Sequence, residues 1–313
     1  MYRYDKYYIS KRAVEMGFIK DTLEKVYRLA DILEYINTNI LLKDKLALKG
    51  GTAINLLIFN LPRLSVDIDL DYMINESKEL MFKSREKINS IISGFMNSEG
   101  YILSHKTKNT HSLDSLIYNY INLSGNTDNI KIEINYSMRA HIFPSRQMRM
   151  TARYFGIEYD INSLNSLEIF GSKITALLNR RAARDLYDIY NMVKFDIFSK
   201  RELDLLRKCV VFYWVVSAKN SLEYFNYEVI DKISPYKIRT ALLPVITKQD
   251  KFDLEIAKKS VKNFLNQLMV LTQEEQEFLN KFVNRQFIPE LLFENSEIID
   301  RIKFHPMALW KIN

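Results

Sequence analysis

The sequence is poor in cysteine, glycine and proline. Its 313 residues include 1 Cys, 8 Gly and 6 Pro. A single cysteine, Cys209, excludes an internal disulfide framework, and its apolar neighbours predict a buried thiol. Because glycine is scarce, we expect a helix-rich protein in which any adjacent pair of glycines has a specific purpose.

Long apolar runs are missing as well. The longest apolar stretch, Cys209 to Val216, is far too short to span a bilayer. The N-terminal residues Met1 to Lys6 lack the apolar run of a signal peptide. From the sequence we therefore expect a cytoplasmic protein with no membrane partner, and we expect it to be a monomer.

The composition that remains is that of an ordinary soluble protein. Hydrophobic residues make up 47% and charged residues 27% of the chain, and the length is enough for two domains. Lys plus Arg exceed Asp plus Glu by 45 to 38, a net charge of +7. This basic surplus favours an anionic partner such as RNA, although solubility alone accounts for it equally well.

The first half of the chain mixes helical and strand patterns. An apolar stripe made of Leu23, Val26, Ala30 and Leu33 predicts a helix over residues 18–36. Further on, strict alternation over residues 66–72 predicts a strand whose aspartates share one face. The same alternation over residues 130–136 places Glu133 opposite an apolar face, and residues 119–123 favour another strand.

Helical periodicity dominates after about residue 157. Near the end of the chain, Thr272, Gln273, Glu274 and Glu275 have the pattern of a capping box that opens a late helix. We therefore place a domain boundary near residue 155.

The predicted strand over residues 66–72 carries the first chemical signal. Asp67 and Asp69 project side by side, and close like charges need compensation. A divalent cation supplies it, and hard oxygen ligands suit Mg²⁺. The competing interpretation is a solvated edge strand with surface aspartates.

A Gly50-Gly51-Thr52 turn precedes this strand. Glycines let the backbone approach a phosphate, and a following helix offers unpaired N–H groups at its N-terminus. A tight turn with Thr52 as an N-cap is the alternative. With Glu133 as a third acid, the set could hold two Mg²⁺ ions, with Mn²⁺ as a substitute, beside a bound NTP.

These blocks resemble a known family. The segments Leu48 to Ala53 and Arg63 to Leu70 resemble the signature of polymerase-beta-type nucleotidyltransferases. More narrowly, they resemble the AbiEii/AbiGii toxins of bacterial abortive phage-infection systems, a family that includes the MenT toxins. The resemblance extends to three further stretches and two isolated positions, namely Lys131 to Ile134, Lys173 to Asp188, Pro289 to Phe293, His305-Pro306 and Trp310.

The resemblance implies an α+β fold. A polymerase-beta-like nucleotidyltransferase domain with N-terminal helices and a small mixed metal-binding sheet is expected over residues 1–155, and a helical C-terminal domain over residues 156–313. The sequence departs from the pattern in three places. Thr52 stands where Ser is frequent, Glu133 stands where Asp is frequent, and fourteen residues, slightly more than usual, separate Thr52 from Asp67.

The resemblance also implies a function. The chain is expected to be a toxin of a toxin–antitoxin system that transfers nucleotides from an NTP to an RNA acceptor. The expected acceptor is the 3′ end of tRNA, whose modification blocks translation, and an antitoxin is expected to be encoded alongside. Two alternatives stay open, namely a protein or small-molecule acceptor and a catalytically silent module that binds nucleotide or RNA.

Further site residues follow from the same comparison. Lys173 is expected at the nucleotide, and Asp185 or Asp188 in the active site. The local alternatives are that Asp185 caps a helix and that Arg184 pairs with Asp188. Other basic or polar candidates are Arg63 and Ser65, for the nucleotide or for balancing the acids, and Arg180, Arg181 and Arg184, for RNA.

Overall fold

The computed structural model describes residues 4–150, 159–217 and 225–313. The chain divides into two compact units. Unit 1 comprises residues 1–139, 145–164 and 245–250, and unit 2 comprises residues 140–144, 165–244 and 251–313. The domain boundary predicted at residue 155 lies outside the described residues.

Unit 1 is built on a mixed sheet of eight strands. The strands are β1 (Leu46–Lys49), β2 (Asp67–Tyr72), β3 (Ile102–Leu103), β4 (Lys108–Asn109), β5 (Leu113–Ile121), β6 (Thr127–Asn135), β7 (Arg146–Arg149) and β8 (Asp160–Ser163). Their order is β3-β5-β6-β2-β1-β8-β7, and β4 also pairs with β5. The pairs β2–β6 and β1–β8 are parallel and the others antiparallel, which confirms the predicted mixed sheet.

Helices complete unit 1. They are α1 (Lys6–Met16), α2 (Lys20–Thr38), α3 (Gly50–Ala53), which continues as π-helical turns over Ile54–Ile58, and α4 (Lys78–Ser98). The predicted apolar stripe of α2 is buried, since Leu23, Val26, Ala30 and Leu33 are at most 1% exposed.

The two alternating segments form strands as predicted. Ile68 and Leu70 of β2 pack in the core, as do Ile132 and Ile134 of β6. The strand predicted over residues 119–123 is β5, which covers residues 113–121 instead, and strands β3, β4, β7 and β8 were not predicted. The helix predicted after the glycine turn begins within it, at Gly50.

Unit 2 contains helices and no strand among its described residues. The α-helices are α5 (Ser166–Arg180), α6 (Ala183–Lys194), α7 (Lys200–Ser217), α8 (Pro235–Lys237), α9 (Leu254–Leu268), α10 (Gln273–Val283), α11 (Ser296–Ile302) and α12 (Pro306–Ile312). Shorter 3-10 or π-helical turns lie at Tyr227–Lys232, Ile238–Leu242 and Pro289–Leu291. The predicted capping box is confirmed, because Thr272 and Glu275 exchange both hydrogen bonds at the start of α10. Among the described residues, no helix is long and apolar enough to cross a membrane.

Candidate functional site

The parallel pairing of β2 with β6 brings the three predicted acids together. Asp69 is the register partner of Glu133, and Asp67 is the partner of Lys131. Neighbouring strands lie about 4.8 Å apart, and register partners point to the same face. Asp67, Asp69 and Glu133 therefore share one face of two adjacent strands, and all three are half-buried.

Two lysines share this face with the acids. Lys131 Nζ lies 2.9 Å from Glu133 Oε1, and Lys49 forms an ion pair with Asp71, which is buried. Burial disfavours the charged form of Lys131, but the hydrogen bond to Glu133 and the charges of the acids outweigh it. The pKa of Lys131 is consequently raised.

Each glycine of the turn after β1 faces a different part of the site. Gly50 has a φ of +67°, and a Cβ there would lie 2.7 Å from Asp69 Oδ2. A Cβ on Gly51 would lie 2.7 Å from Arg63 Nη2 and 3.0 Å from Ser65 Oγ. Both glycines therefore stand where the site packs closely, and the φ of Gly50 also disfavours any other residue there. The first makes room for an acid, and the second for the predicted phosphate-binding residues.

Thr52 and Asn55 fix this turn to its surroundings. The buried Thr52 hydroxyl donates to the Asp67 carbonyl oxygen, which joins the turn directly to the acidic strand. Asn55 Nδ2 donates to the Gly51 carbonyl oxygen at 2.8 Å. Asn55 was not predicted from the sequence; its position four residues after Gly51, on the same helical face, was the available signal.

The segment leading into β2 is held by a distant part of the chain. The Leu64 N–H donates to the Val245 carbonyl oxygen at 2.6 Å, and Arg63 forms a β-bridge with Ile246. The Arg63 side chain is buried, and its Nη1 donates to the Leu64 carbonyl oxygen at 2.9 Å. Its guanidinium is thereby fixed beside the glycine turn.

Unit 2 contains a compact charge cluster. Lys173 Nζ on α5 lies 3.1 Å from Asp185 Oδ1 and 3.3 Å from Asp188 Oδ2 on α6. Arg180 makes a bidentate contact with Asp185, at 2.6 and 2.8 Å. Burial alone would raise the pKa of Asp185, but the charges of Lys173 and Arg180 and their hydrogen bonds outweigh it, and the pKa is lowered.

The structure answers one of the local alternatives for this segment, the capping role of Asp185. Asp185 lies in the first turn of α6, whose N-cap residue is Ala182, so it is not the cap. Arg184 Nε donates to the Ala241 carbonyl oxygen at 2.9 Å. Arg181 ends α5 in the left-handed conformation, and its carbonyl oxygen accepts from Lys237 Nζ. Among the three proposed RNA-binding arginines, Arg180 has a side chain that is 62% exposed.

The acidic face is of the kind that holds a hard divalent cation. Its donors are all carboxylate oxygens, which Mg²⁺ prefers. In the part of the chain that the structure describes, no three His, Cys, Asp or Glu side chains are gathered closely enough to hold a metal as they stand. Glu133 is instead turned to Lys131. The residues fit a cation in the type of their donor atoms and in the face that they share.

An acidic face joined to a glycine turn at the end of β1, on a mixed sheet, defines the class of this protein as a nucleotidyltransferase. The family model described as "Nucleotidyl transferase AbiEii toxin, Type IV TA system" matches residues 31–284. The chain belongs to this family of toxin–antitoxin nucleotidyltransferases, which confirms the resemblance found in the sequence. The family implies a nucleotide substrate and an antitoxin partner.

Solved structures agree on the fold. The chain is similar to MenT4, a nucleotidyltransferase toxin from Mycobacterium tuberculosis H37Rv, with a TM-score of 0.66 at 17% identity. The alignment covers 97% of this chain and 99% of MenT4. A comparison with curated proteins gave no match.

Proposed function

We propose that this toxin transfers a nucleotide from an NTP to an RNA acceptor, the 3′ end of tRNA, in a reaction that depends on Mg²⁺ and takes place in the cytoplasm. The observation that carries the proposal is the register Asp69–Glu133 on parallel strands, with Gly50 packed against the Asp69 carboxylate. The glycine turn, which we propose to bind phosphate, thus lies against the acidic face.

The roles of the residues follow from this placement. Asp67, Asp69 and Glu133 would hold the divalent cations. When bound, these cations activate the attacking hydroxyl and neutralise the leaving pyrophosphate. The Gly50-Gly51 backbone would approach the triphosphate, with Arg63 and Ser65 beside it and Thr52 fixing the turn to the Asp67 carbonyl.

The proposed roles of three other residues rest on different support. Lys173 and Asp188 are proposed for the active site on the family resemblance, and their ion pair shows that each restrains the other. The RNA acceptor is supported by the net charge of +7 and by the exposed side chain of Arg180. Modification of the tRNA 3′ end would stop translation, as expected of a toxin.

Incubation with each labelled NTP, Mg²⁺ and a mixture of total RNA, cell protein and small metabolites tests the proposal. We expect label in tRNA, no label after chelation, and no label with Asp69→Asn. Because Lys and Arg release counterions on binding RNA, RNA affinity should fall steeply with salt, whereas NTP affinity should fall much less. Label in a protein or small molecule would show that RNA is not the acceptor. Nucleotide binding without turnover would show that the protein is a catalytically silent module.

A further inference from the structure

Lys131 is one of two lysines that are register partners of proposed metal ligands, and the other is Lys49, opposite Asp69. The Cα of Lys131 is paired with that of Asp67 across β2 and β6, and Lys131 precedes Glu133 by two residues on the same face. Its ammonium lies 2.9 Å from Glu133 Oε1. The side chains are 33% and 27% exposed, so this pair is neither fully solvated nor locked in the core.

The position of this ammonium answers an electrostatic problem. Three carboxylates on one face repel one another unless a cation lies among them. Without a metal, Lys131 supplies positive charge at Glu133, as Lys49 does at Asp71. Glu133 is the one acid of the three that a metal must recruit from the neighbouring strand.

A divalent cation and this ammonium compete for the same carboxylate, and their positive charges repel each other. A metal that binds Glu133 Oε1 therefore displaces Lys131 from it. Because β6 fixes the direction of its side chain, the displaced ammonium stays on the site face, beside Asp67. The triphosphate brings the next negative charge to that face.

We propose that Lys131 is an exchangeable counter-ion of the active site: it pairs with Glu133 in the metal-free protein, yields that carboxylate to the metal, and then pairs with the bound triphosphate. This inference rests on the proposed use of Asp67, Asp69 and Glu133 as metal ligands. It does not depend on the identity of the acceptor.

The inference predicts effects of opposite sign on two ligands of a single variant. In Lys131→Met, Mg²⁺ or Mn²⁺ alone should bind roughly two- to fivefold more tightly, because no ammonium competes for Glu133. A non-hydrolysable NTP analogue at saturating metal should bind about tenfold more weakly, because one charge-assisted contact is lost. The metal-free protein should also melt at a lower temperature, and Lys131→Arg should restore that temperature.

Lys25 provides a matched control. Its Nζ lies 3.3 Å from Asp128 Oδ1. Asp128 is on β6, three residues before Lys131, and lies outside the acidic face. Lys25→Met removes a comparable lysine–carboxylate pair and should leave both ligand affinities unchanged.

Isothermal titration of the full chain, first with the metal alone and then with the NTP analogue, measures both affinities. Tighter metal binding together with weaker analogue binding in Lys131→Met, absent in Lys25→Met, supports the inference. If Lys131→Met shifts neither affinity, Lys131 is only a surface ion-pair partner and the inference is overturned. A wild type that binds no metal also overturns the inference. If the wild type shows the expected affinities but labels no RNA, the RNA acceptor fails and the role of Lys131 stands.

Discussion

Replacing Lys173 with methionine removes the ammonium that lies between two buried carboxylates. Lys173 is 7% exposed, and Asp185 and Asp188 are each 1% exposed. Methionine keeps most of the side-chain length, so the loss is of charge rather than of packing. Breaking a buried ion pair by removing one partner costs about 3–5 kcal/mol.

That cost is a large share of the stability of an ordinary domain, which is about 5–15 kcal/mol. We therefore expect Lys173→Met to lower the melting temperature by roughly 6–20 °C. Lys258→Met is the matched control. Lys258 is also buried, at 8% exposed, but its partner Glu255 has a side chain that is 79% exposed. Its removal should cost less than about 1 kcal/mol.

The cost should depend on pH in a defined direction. The pKa of Asp185 is lowered in the folded protein, so its ion pairs stabilise the fold above the ordinary pKa of aspartate, about 4. That stability is lost as the pH falls through the lowered folded value. In Lys173→Met the buried Asp185 carboxyl takes up a proton more readily, so the difference from the wild type should shrink towards pH 4.

Chemical denaturation at pH 7 and at pH 4 measures this difference. The double variant Lys173→Met/Asp188→Asn should recover part of the loss, because it removes one uncompensated charge. A cost below about 1 kcal/mol at pH 7, or the same cost at both pH values, would refute the argument from the buried pair. In that case the ammonium would be free to serve the nucleotide alone.

Three further predictions concern unit 1. Gly50→Ala adds a Cβ 2.7 Å from Asp69 Oδ2 at a φ of +67° and should reduce transfer on the order of a hundredfold. Gly94→Ala, which meets open space, should leave transfer unchanged. Thr52→Val removes the hydroxyl that donates to the Asp67 carbonyl, so the free energy of unfolding should fall by about 1–3 kcal/mol, measured by thermal melts. Thr52→Ser keeps the hydroxyl and should retain most of the stability. Equal losses of stability in both variants would assign the effect to packing. Asp69→Asn should abolish NTP-dependent labelling without lowering the melting temperature, and normal turnover would remove Asp69 from the metal site.

Local patterns were enough to predict several elements. Alternation identified β2 and β6 and placed Asp67, Asp69 and Glu133 opposite their apolar faces, because side-chain direction in a strand follows a period of two. The spacing of apolar residues identified α2, since a helix repeats every 3.6 residues. An adjacent glycine pair was conspicuous because glycine is scarce, and its proximity to an Asp-x-Asp segment suggested the chemistry.

The partners of these elements depended on the tertiary structure. Parallel pairing of β2 with β6 joins residues more than sixty positions apart, and no local pattern specifies that register. The same applies to the return of residues 245–250 to unit 1, where they hold the segment that carries Arg63. Such contacts join segments that are far apart in the sequence, so no periodic pattern within one segment predicts them.

The sequence alone also did not determine which charged side chains pair with each other. Lys173, Arg180, Asp185 and Asp188 were identified as a charged stretch, but whether each side chain faced a ligand or a neighbour depended on the packing of α5 against α6. Residue types and their spacing on single elements were thus determined by the sequence alone. Which carboxylate meets which cation was decided by the tertiary structure, because electrostatic energies depend on distances and burial that only the folded chain establishes.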